Sequence, residues 1–143
     1  MREDLLVAVK NTPDVQLISI HILRLLAIGG IIKYFQRELP RHFAIIAALP
    51  DLLFGISAVA VMALAANGSV GYDFLVIWHL LGFSVLFGAG VSMFFSVPSP
   101  LQIFHGKPDT SITFQFPMVL APNFTVPLFM LAHVIALVKL FTA

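Results

Sequence analysis

Two charged side chains interrupt apolar runs of this 143-residue chain, Arg24 and Asp51. An ionisable group inside hydrocarbon costs roughly 2.5–3.5 kcal/mol on insertion scales, so each needs a partner or a task. Arg24 lies about nine residues into the first apolar run and Asp51 about nine into the second, and at ~1.5 Å per residue both stand about 14 Å deep, near the middle of a ~30 Å core. Antiparallel neighbours would bring the guanidinium and the carboxylate together. The spacing predicts a buried polar pair that fixes helix packing, in preference to an ion- or proton-coupling site, because one pair makes no pathway.

Three histidines form a second group with chemistry. His21 and His79 each lie about six residues into their runs and His133 about eight from the same membrane face, depths that agree to within about one helical turn. Facing one another, they would ligate a metal or supply axial ligands to a haem, as helix bundles do. The cofactor is otherwise open, since no CxxCH or HExxH spacing accompanies them. The preferred expectation is structural, with the rings turned to headgroups or bonded to separate helices, because equal depth leaves rotation about each helix axis free. His42 and His105 fall in connections and carry less weight.

Small and helix-breaking residues give two further candidates. Ser84, Gly88 and Ser92 recur every four residues, a small-xxx-small stripe on which another helix can pack closely, while Gly82 and Gly90 thin a second face. Pro122 and Pro127 withhold backbone donors from the carbonyls of Met118 and Asn123, and the Asn123 amide adds a polar group beside the predicted kink. Broken helices can line an ion or substrate site, although such kinks more often only shape the helix.

The elements that must position these groups follow from composition. Apolar residues make up 59% of the chain and charged residues 10%, far from the roughly 25% charge of an ordinary soluble domain. Crossing hydrocarbon takes about 20 mostly apolar residues, and four segments qualify: 15–34, 43–66, 74–95 and 117–141. Lys33, Gln36, Arg37 and Pro40 close the first, and Asn67-Gly68-Ser69 the second. Tyr72 and Trp78 read as interface anchors of the third, and Pro117, Pro122 and Pro127 kink the start of the fourth. The runs lack the period-two alternation of barrel strands. The predicted fold is therefore all-α, one membrane domain over residues 1–143 built as a bundle of four transmembrane helices.

Residues 97–113 are too polar to cross and too apolar for a free linker, which predicts an interfacial loop. Ahead of the first span, Leu5 to Val9 reads as a short interfacial helix ending before Pro13, with Asp14 as the N-cap of the span itself. Acidic residues directly after Arg2 and an apolar stretch of only five residues argue against a secretory signal. Lys33, Arg37, Arg41 and Lys107 outnumber Arg2, Lys10 and Lys139 on the opposite side, so a cell-membrane protein with both termini outside the cytoplasm is expected. The absence of cysteine excludes thiolate metal sites and thiol nucleophiles, and a formal charge of +1 offers no nucleic-acid groove.

Several stretches resemble a widespread, uncharacterised family of small bacterial and archaeal integral membrane proteins: HILRLLAIGG at 21–30, ELPRHFAIIAALPDLLFG at 38–55, SPLQIF at 99–104 and the C-terminal FPMVLAPNFTVPLFMLAHVIALVKL. The last is the most specific, with three evenly spaced prolines ahead of a histidine. The resemblance implies a multi-helix membrane fold and a full-length domain, and brings no known activity. In that family an acidic residue often stands in the third span near the position of Ser84 here, so a function resting on that acid would be lost in this chain.

Function is expected to be that of a non-enzymatic helical-bundle component or accessory subunit, surrounded by lipid and assembled as a homo-oligomer or within a larger membrane complex. No nucleophile-base pair or phosphate loop points to an enzyme. The alternatives are a small oligomeric transporter or channel lined by Arg24, Asp51 and Asn123, and a haem- or metal-binding redox protein using the three histidines.

Overall fold

The computed structural model describes residues 2–142 and, among these, is all-helical with no strand. Met1 and Ala143, the ends of the expected domain, lie outside the described residues, as do the side chains of Arg2, Glu3 and Leu5, so the Arg2 charge is not placed. A short helix α1 (Arg2–Asn11) precedes four helices, each long and apolar enough to cross a membrane: α2 (Asp14–Phe35), α3 (Arg41–Ala66), α4 (Tyr72–Ser96) and α5 (Ala121–Thr142). Each long helix packs on the next and α5 returns to α2, closing a four-membered ring of helices, while α1 lies against α5.

Large apolar side chains point away from this ring. Leu26, Phe35 and Ile77 are more than 60% exposed, a surface suited to lipid and costly in water. The interior is small and partly aromatic, with Ile18, Phe54, Ala58, Val61, Leu75 and Trp78 as its main apolar cluster.

The ends of α2 and α3 close by the same backbone device. Arg37 (φ 61°) and Gly68 (φ 67°) occupy the left-handed region. The following amides, Glu38 N and Ser69 N, reach back to Lys33 O at 2.8 Å and Leu64 O at 2.9 Å. This satisfies carbonyls that a helix end leaves orphaned, and glycine is the residue that adopts the turn without a Cβ penalty.

Three local expectations need correction, and one feature is new. Pro13, not Asp14, holds the N-cap position of α2, and the Asp14 carboxylate instead accepts from Lys139 Nζ at 2.6 Å, tying the start of α2 to the end of α5. Trp78 is no interface anchor: it is buried, stacks on Phe54 at 4.5 Å and donates its indole N–H to Ser57 Oγ at 3.1 Å. The fourth span begins at Ala121 rather than Pro117, because residues 115–121 form successive turns in which Leu120 N bonds Pro117 O and Ala121 N bonds Met118 O. Finally, α3 contains a break that the apolar pattern does not announce, a π turn at Ala44–Ala48 just before Pro50.

The loop over 97–113 folds back on the end of α4. Phe95 O accepts from the amides of Ile103 and Phe104, and Ser96 O from Gln102 Nε2 and Thr110 Oγ1. These contacts complete the C-terminal carbonyls of α4 and bury Thr110 and Thr113.

Candidate functional site

The middle of α2 is a 3-10 helix over Ile20–Ala27. With three residues per turn, side chains at i and i+3 eclipse, and His21 and Arg24 are accordingly the buried residues of this segment. His21 and Arg24 thus enter the bundle one above the other.

On α3, Pro50 lacks an N–H and its ring would crowd the carbonyl of Ile46 in a regular α-helix. The π turn absorbs this, with Leu49 N bonding Ala44 O five residues back. Asp51 follows directly, and its Oδ1 accepts from Arg24 Nε at 2.6 Å. The Arg24 side chain is fully buried while that of Asp51 is 18% exposed, so the pair sits at one edge of the interior. The guanidinium carbon also lies 4.1 Å from the centre of the Phe54 ring, a cation–π contact one turn beyond Asp51.

From Arg24 the polar contacts continue inward. Nη1 approaches Gly82 O at 3.3 Å and His133 Nε2 at 3.2 Å, and His133 Nδ1 is 2.9 Å from His79 Nδ1. A guanidinium only donates, so His133 Nε2 accepts, its proton sits on Nδ1, and His79 Nδ1 accepts from it; the network assigns these tautomers.

His21 completes the cluster differently. Its ring stacks on His133 at 3.9 Å and 15°, yet neither Nδ1 nor Nε2 has a hydrogen-bond partner, and Arg24 Nη2 is likewise unpaired. All four residues are sealed, with exposures of 0% for His21 and His133, 1% for Arg24 and 2% for His79. The expectation that the three histidines turn to headgroups or separate helices is therefore corrected. Helix phase aims every one inward, and one nitrogen from each lies within 4.8 Å of the others.

The close approach that makes this possible is at Gly82. A Cβ there would collide with Phe54 Cζ and with the His133 ring. The small residues expected to pack do not: Ser84 is exposed and bonds Leu80 O of its own helix, a Cβ on Gly88 or Gly90 would meet nothing within 4 Å, and of the stripe only Ser92 is buried. Asn123 is exposed, its amide donating to Val119 O one turn back at 3.0 Å, and Pro122 and Pro127 flank it away from the Arg24–Asp51 pair. His42 Nε2 meets Ser96 Oγ at 2.9 Å at the far end of α4, and His105 is exposed.

Phe54 and the Trp78–Ser57 bond belong to the centre and are not assigned to it from sequence, whereas Gly82 is the close-approach glycine expected beside His79. The available signal was spacing, since Phe54 follows Asp51 by three residues and Gly82 follows His79 by three, each pair sharing a helix face.

Residues 5–141 match the family described as a domain of unknown function, DUF8737. The chain belongs to that family. No match was found among curated proteins or among solved structures. The DUF8737 chain thus sets four apolar helices around a buried centre of three imidazoles and Arg24, whose partner Asp51 stands at its edge.

Proposed function

We propose that this chain is a non-enzymatic membrane component whose centre holds one transition-metal ion through His21, His79 and His133. The carrying observation is His21, a fully buried ring with two unpartnered nitrogens within reach of two further imidazoles. A buried polar group left unpaired costs roughly 1–3 kcal/mol, and a metal bond removes that cost. Metal–nitrogen bonds of about 2.0–2.1 Å hold ligand nitrogens roughly 3.5 Å apart, inside the 4.8 Å within which the three nitrogens lie. His21 is free to move, because no hydrogen bond holds its ring, while His133, whose two nitrogens meet Arg24 and His79, must exchange one of those bonds for the bond to the metal.

Imidazole sets suit copper, zinc, iron or nickel. The charge environment narrows the choice: no carboxylate belongs to the trio, Arg24 beside His133 is offset by Asp51, and Asp14 on the His79 side is itself paired with Lys139. The cost of an ion in a low-dielectric interior grows with the square of its charge, which favours monovalent copper over a divalent ion. A macrocycle is less favoured. Phe54, Trp78, His79, Phe129 and His133 surround the His21 ring at centroid distances of 3.9–6.1 Å, leaving no slot for a porphyrin. A proton line from Asp51 to His79 is also less favoured, since it would run through a guanidinium that keeps its proton.

The test is metal retention by the full chain in mild detergent after loading with Cu(I) or Zn(II) and desalting. We expect about one Cu(I) per chain in a nitrogen-only shell by X-ray absorption, lost in His21→Ala and kept in His105→Ala. Failure to retain either ion, or unchanged retention in a folded His21→Ala chain, overturns the proposal, as would a Soret band in the isolated protein, which would point to haem instead.

A further inference from the structure

At the opposite end of the bundle from α1, the 97–113 loop and the start of α3 enclose an open cavity of about 550 Å³ lined by Arg41, His42, Ile45, Ile46, His105, Gly106 and Lys107. The loop is pressed into place. A Cβ on Gly106 would stand 2.8 Å from Pro40 Cβ and 3.2 Å from the His42 ring, so glycine lets the backbone seat against α3. His42 is held by Ser96 through Nε2 and by stacking on Phe104 at 5.4 Å, which turns its Nδ1 side toward Gly106.

The described ion pairs engage Arg24, Lys33 and Lys139, and neither Arg41 nor Lys107 takes part in one. Asp109 borders an adjoining hollow that shares His105, Gly106 and Lys107, but its carboxylate is occupied by the Ser111 amide at 2.9 Å and hydroxyl at 2.5 Å. Those bonds hold it below the usual carboxylate range. It stays anionic and disfavours an anion on its own side, leaving the Arg41 side as the receptive wall.

Ile45 and Ile46 form the apolar wall and are exposed, and Ile45 is followed along α3 by exposed Leu49 and Leu53. A cationic mouth at the first turn of an apolar span therefore continues into an apolar track running toward the bilayer centre.

We infer that this cavity binds the phosphate headgroup of an anionic phospholipid, with Arg41 and Lys107 on the phosphate and one acyl chain lying along Ile45, Leu49 and Leu53. Guanidinium and ammonium donors suit phosphate oxygens, and the bilayer leaflet that a cation-rich loop faces is the anionic one. The site is independent of the histidine centre and stands whether or not a metal is bound there.

The experiment is native mass spectrometry of the full chain released from micelles containing equal phosphatidylglycerol and phosphatidylcholine of identical chains, with inorganic phosphate as a separate arm. We expect phosphatidylglycerol to be retained in preference, and the Arg41→Gln/Lys107→Gln variant to lose that retention by roughly 20–30-fold, the product of two cations at a membrane surface. Lys10→Gln, at the other end of the bundle, should retain lipid as the parent does. Both replaced side chains are exposed and form no ion pair among the described residues, so the fold survives the change, which thermal unfolding checks. Equal retention of phosphatidylcholine, unchanged phosphatidylglycerol retention in the double variant, or inorganic phosphate competing at the lipid's own concentration would each overturn the inference.

Discussion

In both α3 and α5 a five-residue π turn ends two residues before a proline, Ala44–Ala48 before Pro50 and Ala121–Thr125 before Pro127. The donors match as well: Leu49 N reaches Ala44 O, and Val126 N reaches Ala121 O. Their surroundings differ. Ala44, Ala47 and Ala48 are buried, with Phe54 and Gly55 buried just beyond, and the polar residue next to Pro50 is Asp51, which meets Arg24. No residue of the second turn is buried, and its polar residues, Asn123 and Thr125, bond only carbonyls one turn back, Val119 O and Ala121 O. A proline marks where a membrane helix widens; the partner packed against the widening decides whether it serves a site.

The comparison breaks most visibly if the two polar residues prove equivalent. Asp51→Ala strands the Arg24 cation in a dry interior and should destabilise the protein by about 3–5 kcal/mol. The Arg24→Ala/Asp51→Ala chain should lose less than Asp51→Ala alone, since both charges leave together. Asn123→Ala removes one exposed bond and should change stability by no more than about 0.5 kcal/mol. Unfolding in lipid discs measures all three, and a single change as mild as the double one would mean that Arg24 finds another partner.

A smaller effect separates the two kinds of glycine on α4. Gly82→Ala forces a methyl into Phe54 and His133, which should cost roughly 1–3 kcal/mol and displace the His133 ring. Gly88→Ala meets open space and should stabilise the helix slightly, by up to about 1 kcal/mol. Equal melting temperatures for the two variants would show that the interior at Gly82 is looser than its contacts imply.

Much of this was legible in the sequence, for reasons tied to particular residues. Run length and charge placed the four spans, and equal depth on adjacent helices brought Arg24 to Asp51. Depth was insufficient for His21, His79 and His133, because it constrains one coordinate and rotation about each helix sets the other. In α2 rotation is set by a 3-10 segment over Ile20–Ala27, whose period of three puts His21 and Arg24 on one face; a period of 3.6 drifts off that line. The small stripe misled for a related reason. Ser84, Gly88 and Ser92 share a face, but composition does not say which face has a neighbour, and the bulkier-looking face of Leu75, Trp78, His79, Gly82 and Leu86 is the buried one.

The smallest expected effect bears on the π turns themselves. Alanine at either proline restores an N–H that the carbonyl four residues back could accept, from Ile46 in α3 and from Asn123 in α5. Taking up that bond means converting the wide turn to a regular one and rotating one side of the helix by about 100° relative to the other. In α5 only the exposed side, Ala121–Thr125, needs to rotate, while Phe129 and His133 stay packed. Pro127→Ala should therefore regularise the turn, slow amide exchange over 121–126 and raise stability by a few tenths to about 1 kcal/mol. In α3 both sides are packed, so rotation would either expose Ala47 and Ala48 or turn Asp51 from Arg24. Pro50→Ala should leave the π turn in place, with unchanged exchange over 44–49 and no gain in stability. If exchange over 44–49 slows as it does over 121–126, the proline rather than the packing maintains the α3 turn, and the two regions differ less than their burial indicates.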